Sequence, residues 1–201
     1  AVPAWGEPAS PCAPGEGRNL RGKDFTQGAK IPQDLRCADL TGARLDGVDL
    51  SRRVLTGAIL RHASLREADL SRARLDHADL TKADLTEADL THARATYAVL
   101  RKAVLVGADA EEARLDHTDL TGAQLSRARL TEADLSDATL INAYLDGAVM
   151  RRVHGRNADF SGARLSTTTL TEAKLQFATF QDADLTEAEL RQAELHGAEL
   201  H

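Results

Sequence analysis

Residues 83–92 read Ala-Asp-Leu-Thr-Glu-Ala-Asp-Leu-Thr-His, which is one five-residue unit followed directly by a second. On both sides of this stretch, all 29 leucines of the 201-residue chain fall on residue numbers divisible by five, from Leu20 to Leu200. Two residues before such positions, 28 of the 33 residues between 38 and 198 are alanine. The register never slips, so the sequence is an uninterrupted internal repeat.

The five-residue period excludes an α-helix and a flat strand as the basic element. Five residues advance an α-helix by about 500°, which scatters the leucines around the helix axis. An odd period sends successive leucines of a strand to opposite faces. The leucines share one interior only if the chain turns a corner about every five residues. The pattern therefore predicts a coil of very short segments, with leucine and alanine inside and turn-forming Gly, Asp, Asn, Ser and Thr outside.

The units at 83–87 and 88–92 resemble those of the pentapeptide-repeat family, and the resemblance extends over roughly residues 18–201. It implies an all-β fold, a right-handed quadrilateral parallel β-helix with four pentapeptides in each coil. At a spacing of about 4.8 Å between coils, the repeats form about nine coils and a rod about 43 Å long. The chain then divides into a non-repeat N-terminal cap segment over 1–17 and the pentapeptide-repeat β-helix over 18–201.

The composition excludes several classes of function. A net charge of −6 argues against direct nucleic-acid binding, and no stretch approaches the roughly 20 consecutive apolar residues of a membrane span. No histidine pair has metal-ligand spacing with a carboxylate partner, and a filled interior leaves no substrate pocket. We therefore predict a non-catalytic, rod-shaped interaction or structural protein, without metal or cofactor, that binds an unidentified protein partner.

An alternative function follows from the family resemblance. Some pentapeptide-repeat proteins of the quinolone-resistance type imitate a DNA duplex and bind DNA gyrase, so this chain would be a DNA-mimicking modulator of that topoisomerase. Such mimicry needs a dense field of one sign, whereas arginines interrupt even the most acidic face. We favour hydrogen bonding to local turns as the role of the single acidic ladder. That ladder is Asp49, Asp69, Asp89 and Asp109.

Departures from the repeat mark candidate contact surfaces. Gly155 replaces a core leucine within the densest basic run, which indicates either an anion or partner site at a local distortion or, as we favour, a solvated corner. Apolar residues outside one coil form a second candidate patch, although scattered exposed apolar residues are equally common. Arg53 takes an inward position, where it must distort the coil or reach an acid. The partner-contact candidates are Arg151, Arg152, His154, Arg156, Tyr97, Val99, Val104 and Val106.

The N-terminal segment carries predictions on capping and location. Residues 1–17 hold four of the five prolines and the only tryptophan, Trp5, which we expect to cover the first coil. Cys12 and Cys37 are a candidate disulfide that pins this segment. A start at Ala1 is typical of a removed signal peptide. These features favour a secreted, periplasmic or lumenal protein over a cytoplasmic one.

The C-terminal end predicts self-association. The sequence stops within the repeat, so the last coil exposes its backbone edges and its leucines. Open edges invite pairing, and we predict a homodimer through the C-terminal coils, related by a two-fold axis. The leucines at this dimer end are Leu185, Leu190, Leu195 and Leu200.

Overall fold

The backbone is a stack of coils held together by bridges between residues twenty apart. The computed structural model describes residues 11–13 and 16–200. In these two ranges there is no helix and no extended strand. Instead, 32 isolated parallel bridges run from Asn19↔Asp39 to Thr179↔Glu199, and each joins residues 20 apart. The expected capping role of Trp5 concerns a residue outside the described ranges.

A tight turn closes each five-residue unit. The residue at the alanine position donates its N–H to the carbonyl of the preceding leucine, as in Ala83 N to Leu80 O at 2.9 Å. The residue before the alanine has positive φ at every turn from Cys37 to Gly197, which type II turns require. Of these 33 residues, 25 are not glycine. Because the left-handed region costs such residues about 1 kcal/mol each, the bridges on either side must hold them there.

Each unit is tied to the coils above and below it. The N–H of Leu85 donates to the carbonyl of Val104 at 2.7 Å, and the N–H of Asp84 donates to the carbonyl of Ala63 at 2.9 Å. The same pattern recurs at successive leucine and aspartate positions along the chain. The backbone groups are therefore satisfied between coils without any long strand.

The leucine and alanine positions fill the interior. Apart from Lys30, every leucine position from Leu20 to Phe180 is buried. Phe160 and Phe180 stack one coil apart, with ring centroids 4.9 Å apart and ring planes 3° from parallel. Thr118 replaces an inward alanine, and its hydroxyl donates to the carbonyl of Leu115 at 2.6 Å, so the buried polar group is satisfied.

Two of the leucine positions hold alanine, and a small cavity lies beside them. Ala95 and Ala110 occupy leucine positions 15 residues apart, on adjoining sides of neighbouring coils. They line an enclosed apolar cavity of about 10 Å³ together with leucines such as Leu90 and Leu115. An apolar void of this kind loses dispersion contacts and stays dry.

Filling this cavity should stabilise the solenoid. We expect Ala110→Leu to raise the free energy of unfolding by about 1 kcal/mol, because it restores a continuous leucine column. Ala83→Leu adds the same atoms at an alanine position that is 0% exposed. It should lower the free energy of unfolding by about 1–3 kcal/mol through overpacking. Urea titrations followed by circular dichroism measure the stability of both variants. If both substitutions change the unfolding midpoint in the same direction, the interior does not have separate large leucine positions and small alanine positions.

The first coil is less regular than those above it. The ladder skips the pair Ala29 and Asp49, and Lys30 is exposed although it occupies a leucine position. Arg53 keeps the normal turn hydrogen bond to Leu50, and its guanidinium donates to Gln33 Oε1 at 2.8 Å. Hydrogen bonds from Ser51 and the charge of Arg53 lower the pKa of the Asp49 carboxyl, so Arg53 acts on an acid as expected, while its own hydrogen bond goes to a neutral amide in the incomplete coil below.

The final coil, residues 181–200, packs against the core on one side only. Leu185, Leu190 and Leu195 are half-buried, and Leu200 is 53% exposed. Among the described residues, the N–H groups of Leu185 and Leu190 have no backbone acceptor. No helix in the described part of the chain has the length and apolar character needed to cross a membrane.

Candidate interaction surface

Aspartates at the bridge positions cap the turns that follow them. The N–H of Thr86 donates to Asp84 Oδ1 at 3.0 Å, and the Thr86 hydroxyl donates to the same oxygen. Asp79 caps Thr81 in the same way. A side chain that accepts the N–H two residues ahead is the local bonding that aspartate favours in turns. The recurring Asp-Leu-Thr sequence is therefore explained largely by turn structure.

These contacts lower the pKa of several carboxyl groups. Burial raises the pKa of Asp84, but the Thr86 hydroxyl, the Thr86 N–H and the Arg66 guanidinium outweigh it, so the net pKa lies below the ordinary value. Hydrogen bonds from Arg36 hold the pKa of Asp34 at about 2. Ionisation of these aspartates therefore increases the free energy of unfolding.

Acid should destabilise the solenoid through these aspartates. A depressed pKa contributes stability above the unfolded value of about 3.9, and that contribution is lost as the pH falls through the folded value. We expect Asp84→Asn to melt at a lower temperature than the native chain at pH 7, and this difference should shrink towards pH 2.5. Melting curves at both pH values, with the exposed Glu187→Gln as control, measure it. An equal difference at both pH values would contradict the prediction.

The acidic ladder lies along one column. Bridges join Asp49 to Asp69, Asp69 to Asp89 and Asp89 to Asp109. Each carboxylate accepts the N–H of the residue two positions ahead, as in Ser71 N to Asp69 Oδ1 at 2.8 Å. The other carboxylate oxygen of Asp109 lies 3.5 Å from Arg129 Nη1, so the column combines turn capping with acidic groups that are partly neutralised at one end.

An aromatic stack occupies another column. The ring of Tyr97 lies between those of His77 and His117, with centroid distances of 5.3 Å and 4.6 Å. Tyr97 is 37% exposed, whereas Val99, Val104 and Val106 are half-buried and follow it around one coil. Tyr97 is therefore the most exposed of these four residues, and their use as a contact patch stays a prediction.

The basic run at 151–156 is divided between two sides of the coil. Arg152 pairs directly with Glu132 one coil below. The Arg156 guanidinium lies over the ring of Phe177 at 4.9 Å. His154 Nε2 and Lys174 Nζ are 3.4 Å apart. Arg151 is exposed.

The coil is undistorted at Gly155. The glycine N–H keeps its bond to the Lys174 carbonyl at 2.8 Å, and a Cβ added at Gly155 would lie 2.8 Å from Leu175 Cδ2. The neighbouring leucine therefore fills the space that the glycine leaves. The local distortion considered at Gly155 is therefore absent, and contact of the basic run with a partner stays a prediction.

A larger basic cluster arises from stacking and was missed as a unit in the sequence analysis. It follows one corner of the rod over four coils, and we call it the basic edge. Arginines whose numbers differ by twenty stack in one column. Two such columns that lie two residues apart along the chain together form the corner. The basic edge consists of Arg52, Arg53, Arg72, Arg74, Arg94 and Arg114.

The two cysteines meet at the N-terminal end. Cys12 Sγ and Cys37 Sγ lie 1.98 Å apart as a disulfide, with a Cα–Cα distance of 5.7 Å. The bond attaches residue 12 to the turn at Cys37, a residue with positive φ. Residues 11–13 are thereby held beside the solenoid, where Cys12 Sγ also lies 3.5 Å from the Gly57 carbonyl oxygen.

Within residues 11–13 and 16–200, no group of three or more His, Cys, Asp or Glu side chains is arranged to hold a metal ion. The enclosed cavity beside Ala110 has an entirely apolar lining.

Comparison with known proteins identifies the family. The model of the family described as pentapeptide repeats matches in a series of segments that together cover residues 34–201. A search among curated proteins found no match. The chain therefore belongs to the pentapeptide-repeat family, whose members are generally structural or interaction proteins.

Solved structures resemble the chain over most of its length. HetL, a pentapeptide repeat protein involved in heterocyst differentiation regulation in the cyanobacterium Nostoc sp. strain PCC 7120, is 36% identical over 90% of this chain and 89% of its own, with a TM-score of 0.44. A trypsin-treated variant of QnrB1, a plasmid-mediated fluoroquinolone resistance protein, is 22% identical over 92% of this chain and 90% of its own, with a TM-score of 0.52. The family and the QnrB1 structure imply a right-handed β-helix solenoid.

Proposed function

We propose that this protein is a non-catalytic, rod-shaped interaction protein that binds a protein partner on its outer faces. Its solenoid is a four-sided β-helix of about nine coils, with a cap segment over 1–17 preceding the repeats of 18–201. The observation that carries the proposal is the stacking of outward side chains in columns, as in the bridges Arg74↔Arg94 and Arg94↔Arg114. Such columns build long, regular faces of chosen chemistry on a packed interior.

Photocrosslinking from the four sides of one coil tests this function. A photoreactive amino acid is placed after four successive leucines, one variant for each side, and crosslinked in cells of the source organism. We expect one protein to be captured from one side or from two adjacent sides. Equal capture from all four sides, or from none, would contradict the proposal. The four positions are Thr121, Ser126, Thr131 and Ser136.

A DNA-mimicking modulator of DNA gyrase is the second candidate function. The acidic ladder favours it, because four aspartates repeat at one coil spacing along the rod. The turn-capping bonds of those aspartates and the adjacent basic edge weigh against it, since a mimic must present one sign of charge. A supercoiling assay with DNA gyrase separates the two functions. Inhibition or drug protection by tens of micromolar protein would favour the mimic, and no effect would eliminate it.

We further propose that the protein forms a homodimer through its C-terminal coils. Half-exposed leucines and backbone donors without partners in residues 181–200 support it, because an open edge pairs readily. Light scattering after size-exclusion chromatography at micromolar concentration tests it on the full chain. A dimer that Leu190→Glu abolishes is the expected result, and a monomer would overturn the proposal.

We also propose that the protein works in an oxidising compartment, secreted, periplasmic or lumenal. The Cys12–Cys37 disulfide supports this, because disulfides persist in such compartments and are rare in reducing cytoplasm. Fractionation of the source cells tests the location. Recovery in the cytoplasm with both thiols reduced would overturn it.

A further inference from the structure

The basic edge places six guanidinium groups along one corner of the rod. Arg52, Arg72 and Arg74 belong to its lower coils, and bridges join Arg74 to Arg94 and Arg94 to Arg114. Arg72 and Arg74 are two residues apart, so their Cα atoms lie within about 7 Å. Four coils at about 4.8 Å give the edge a length of roughly 14 Å.

Arg53 of the edge donates to the neutral Gln33, and the other arginines of the edge are at most weakly paired with carboxylates. The Nε atoms of Arg74 and Arg94 lie 3.9 Å and 3.8 Å from Asp76, and that of Arg114 lies 3.6 Å from Asp116. These distances exceed those of hydrogen bonds. Arg52 and Arg72 have no carboxylate within 4 Å among the described residues.

Several arginines elsewhere on the rod are paired closely. Arg66 donates to Asp84 at 3.0 Å, Arg44 to Asp24 at 3.0 Å and Arg129 to Glu111 at 2.8 Å. The chain can therefore supply a carboxylate one coil away from an arginine. Along the basic edge it stacks arginine on arginine instead, which is destabilising for like charges on neighbouring strands.

We propose that the basic edge is the docking site for a short acidic segment of the partner protein. Guanidinium groups with free N–H donors bind carboxylates in pairs of parallel hydrogen bonds. An extended segment of about four residues spans the edge. The side chains of Arg74, Arg94 and Arg114 are about half exposed, so their donors are accessible.

The surroundings of the edge favour a narrow acidic segment over a nucleic acid. Acidic groups flank the corner on both sides, and the whole chain carries a net charge of −6. A polynucleotide with continuous phosphate charge would meet these flanking acids, whereas a short peptide can lie on the corner alone. Tyr97 lies on the same side and offers an exposed aromatic anchor of the kind that interfaces use. The flanking acids are Asp49, Asp69, Asp89, Asp76, Glu112 and Asp116.

A charge-matched pair of variants tests this docking site. The probe is a fluorescein-labelled peptide of ten glutamates, with a neutral Gly-Ser peptide and a ten-nucleotide oligo(dT) for comparison, measured by anisotropy at low and physiological salt. The edge variant combines Arg72→Gln, Arg74→Gln and Arg94→Gln. The control variant makes three such changes on the opposite sides of the rod, at arginines with direct partners. Those control positions are Arg61, Arg66 and Arg101.

We expect the edge variant to bind the glutamate peptide about tenfold more weakly than the native chain, because three exposed ion pairs are lost. The control variant should stay within about twofold. The edge variant should keep the circular-dichroism spectrum of the native chain but melt at a lower temperature, because Arg74→Gln and Arg94→Gln remove both arginines beside Asp76, which is only 8% exposed. No binding by the native chain, equal loss in both variants, or tighter binding of oligo(dT) would overturn the proposal. The inference rests on the proposed interaction function. A partner crosslinked only from another side of the rod would rule out docking at the basic edge but would still support the interaction function.

Discussion

Leu85→Ala should lower the free energy of unfolding by about 3 kcal/mol. The side chain is 0% exposed and lies in the column between Leu65 and Leu105, which are also 0% and 2% exposed. Removing three carbon groups there loses their transfer free energy and leaves a cavity, because bridges on both sides prevent the coils from collapsing. A solenoid holds each coil only through its neighbours, so a weakened coil weakens both interfaces.

Urea unfolding monitored by circular dichroism measures this loss. Lys82→Ala is the matched control, since it removes an exposed side chain from the preceding turn and should change stability by less than about 0.5 kcal/mol. If the two variants unfold at the same urea concentration, the buried leucines do not supply the main packing energy of the core.

Reduction of the Cys12–Cys37 disulfide should loosen the N-terminal coils. The bond closes a segment with a sequence separation of 25 residues, and a loop of this size contributes about 3 kcal/mol in the chain-entropy description. Because a solenoid transmits contacts only between neighbouring coils, the loss should be concentrated at that end. We expect faster amide exchange at Leu20 and Leu35 after reduction, with exchange at Leu125 unchanged.

Mass spectrometry and hydrogen exchange measure the two parts of this prediction. Under non-reducing conditions, a peptide containing Cys12 should remain linked to one containing Cys37. The double variant Cys12→Ser with Cys37→Ser should reproduce the exchange pattern of the reduced chain. Free thiols in the native chain, or exchange that rises equally at Leu125, would contradict the prediction.

The regular part of the fold follows from the sequence because each unit meets an almost identical unit above and below. Leucine at every fifth residue requires one interior, and alanine two residues earlier requires a smaller inward position; the structure buries both. Local chemistry also predicts the turn capping by aspartates such as Asp69, since this contact depends only on residues two apart.

The irregular features depend on contacts that a repeat pattern does not contain. Arg53 is accommodated by Gln33 in an incomplete first coil, and Leu175 fills the space at Gly155. In the same way, side-chain conformation determines whether an arginine pairs with a carboxylate one coil away or extends into solvent. The residues of the basic run at 151–156 are contiguous in sequence, but a turn places them on two sides of the coil. The basic edge, in contrast, is assembled from residues of four coils.

The central claim is that stacking of residues twenty apart builds the functional surface, and deletion of a single pentapeptide tests it most directly. Removing residues 83–87 keeps the inward pattern but moves Arg94 and Arg114 by one side relative to Arg74. Removing residues 133–137 leaves the basic edge intact. The deciding measurement is the affinity of each folded deletion variant for the ten-glutamate peptide. We predict that binding falls about fivefold or more for the first deletion and stays within about twofold for the second. Equal affinity in both variants would contradict the claim.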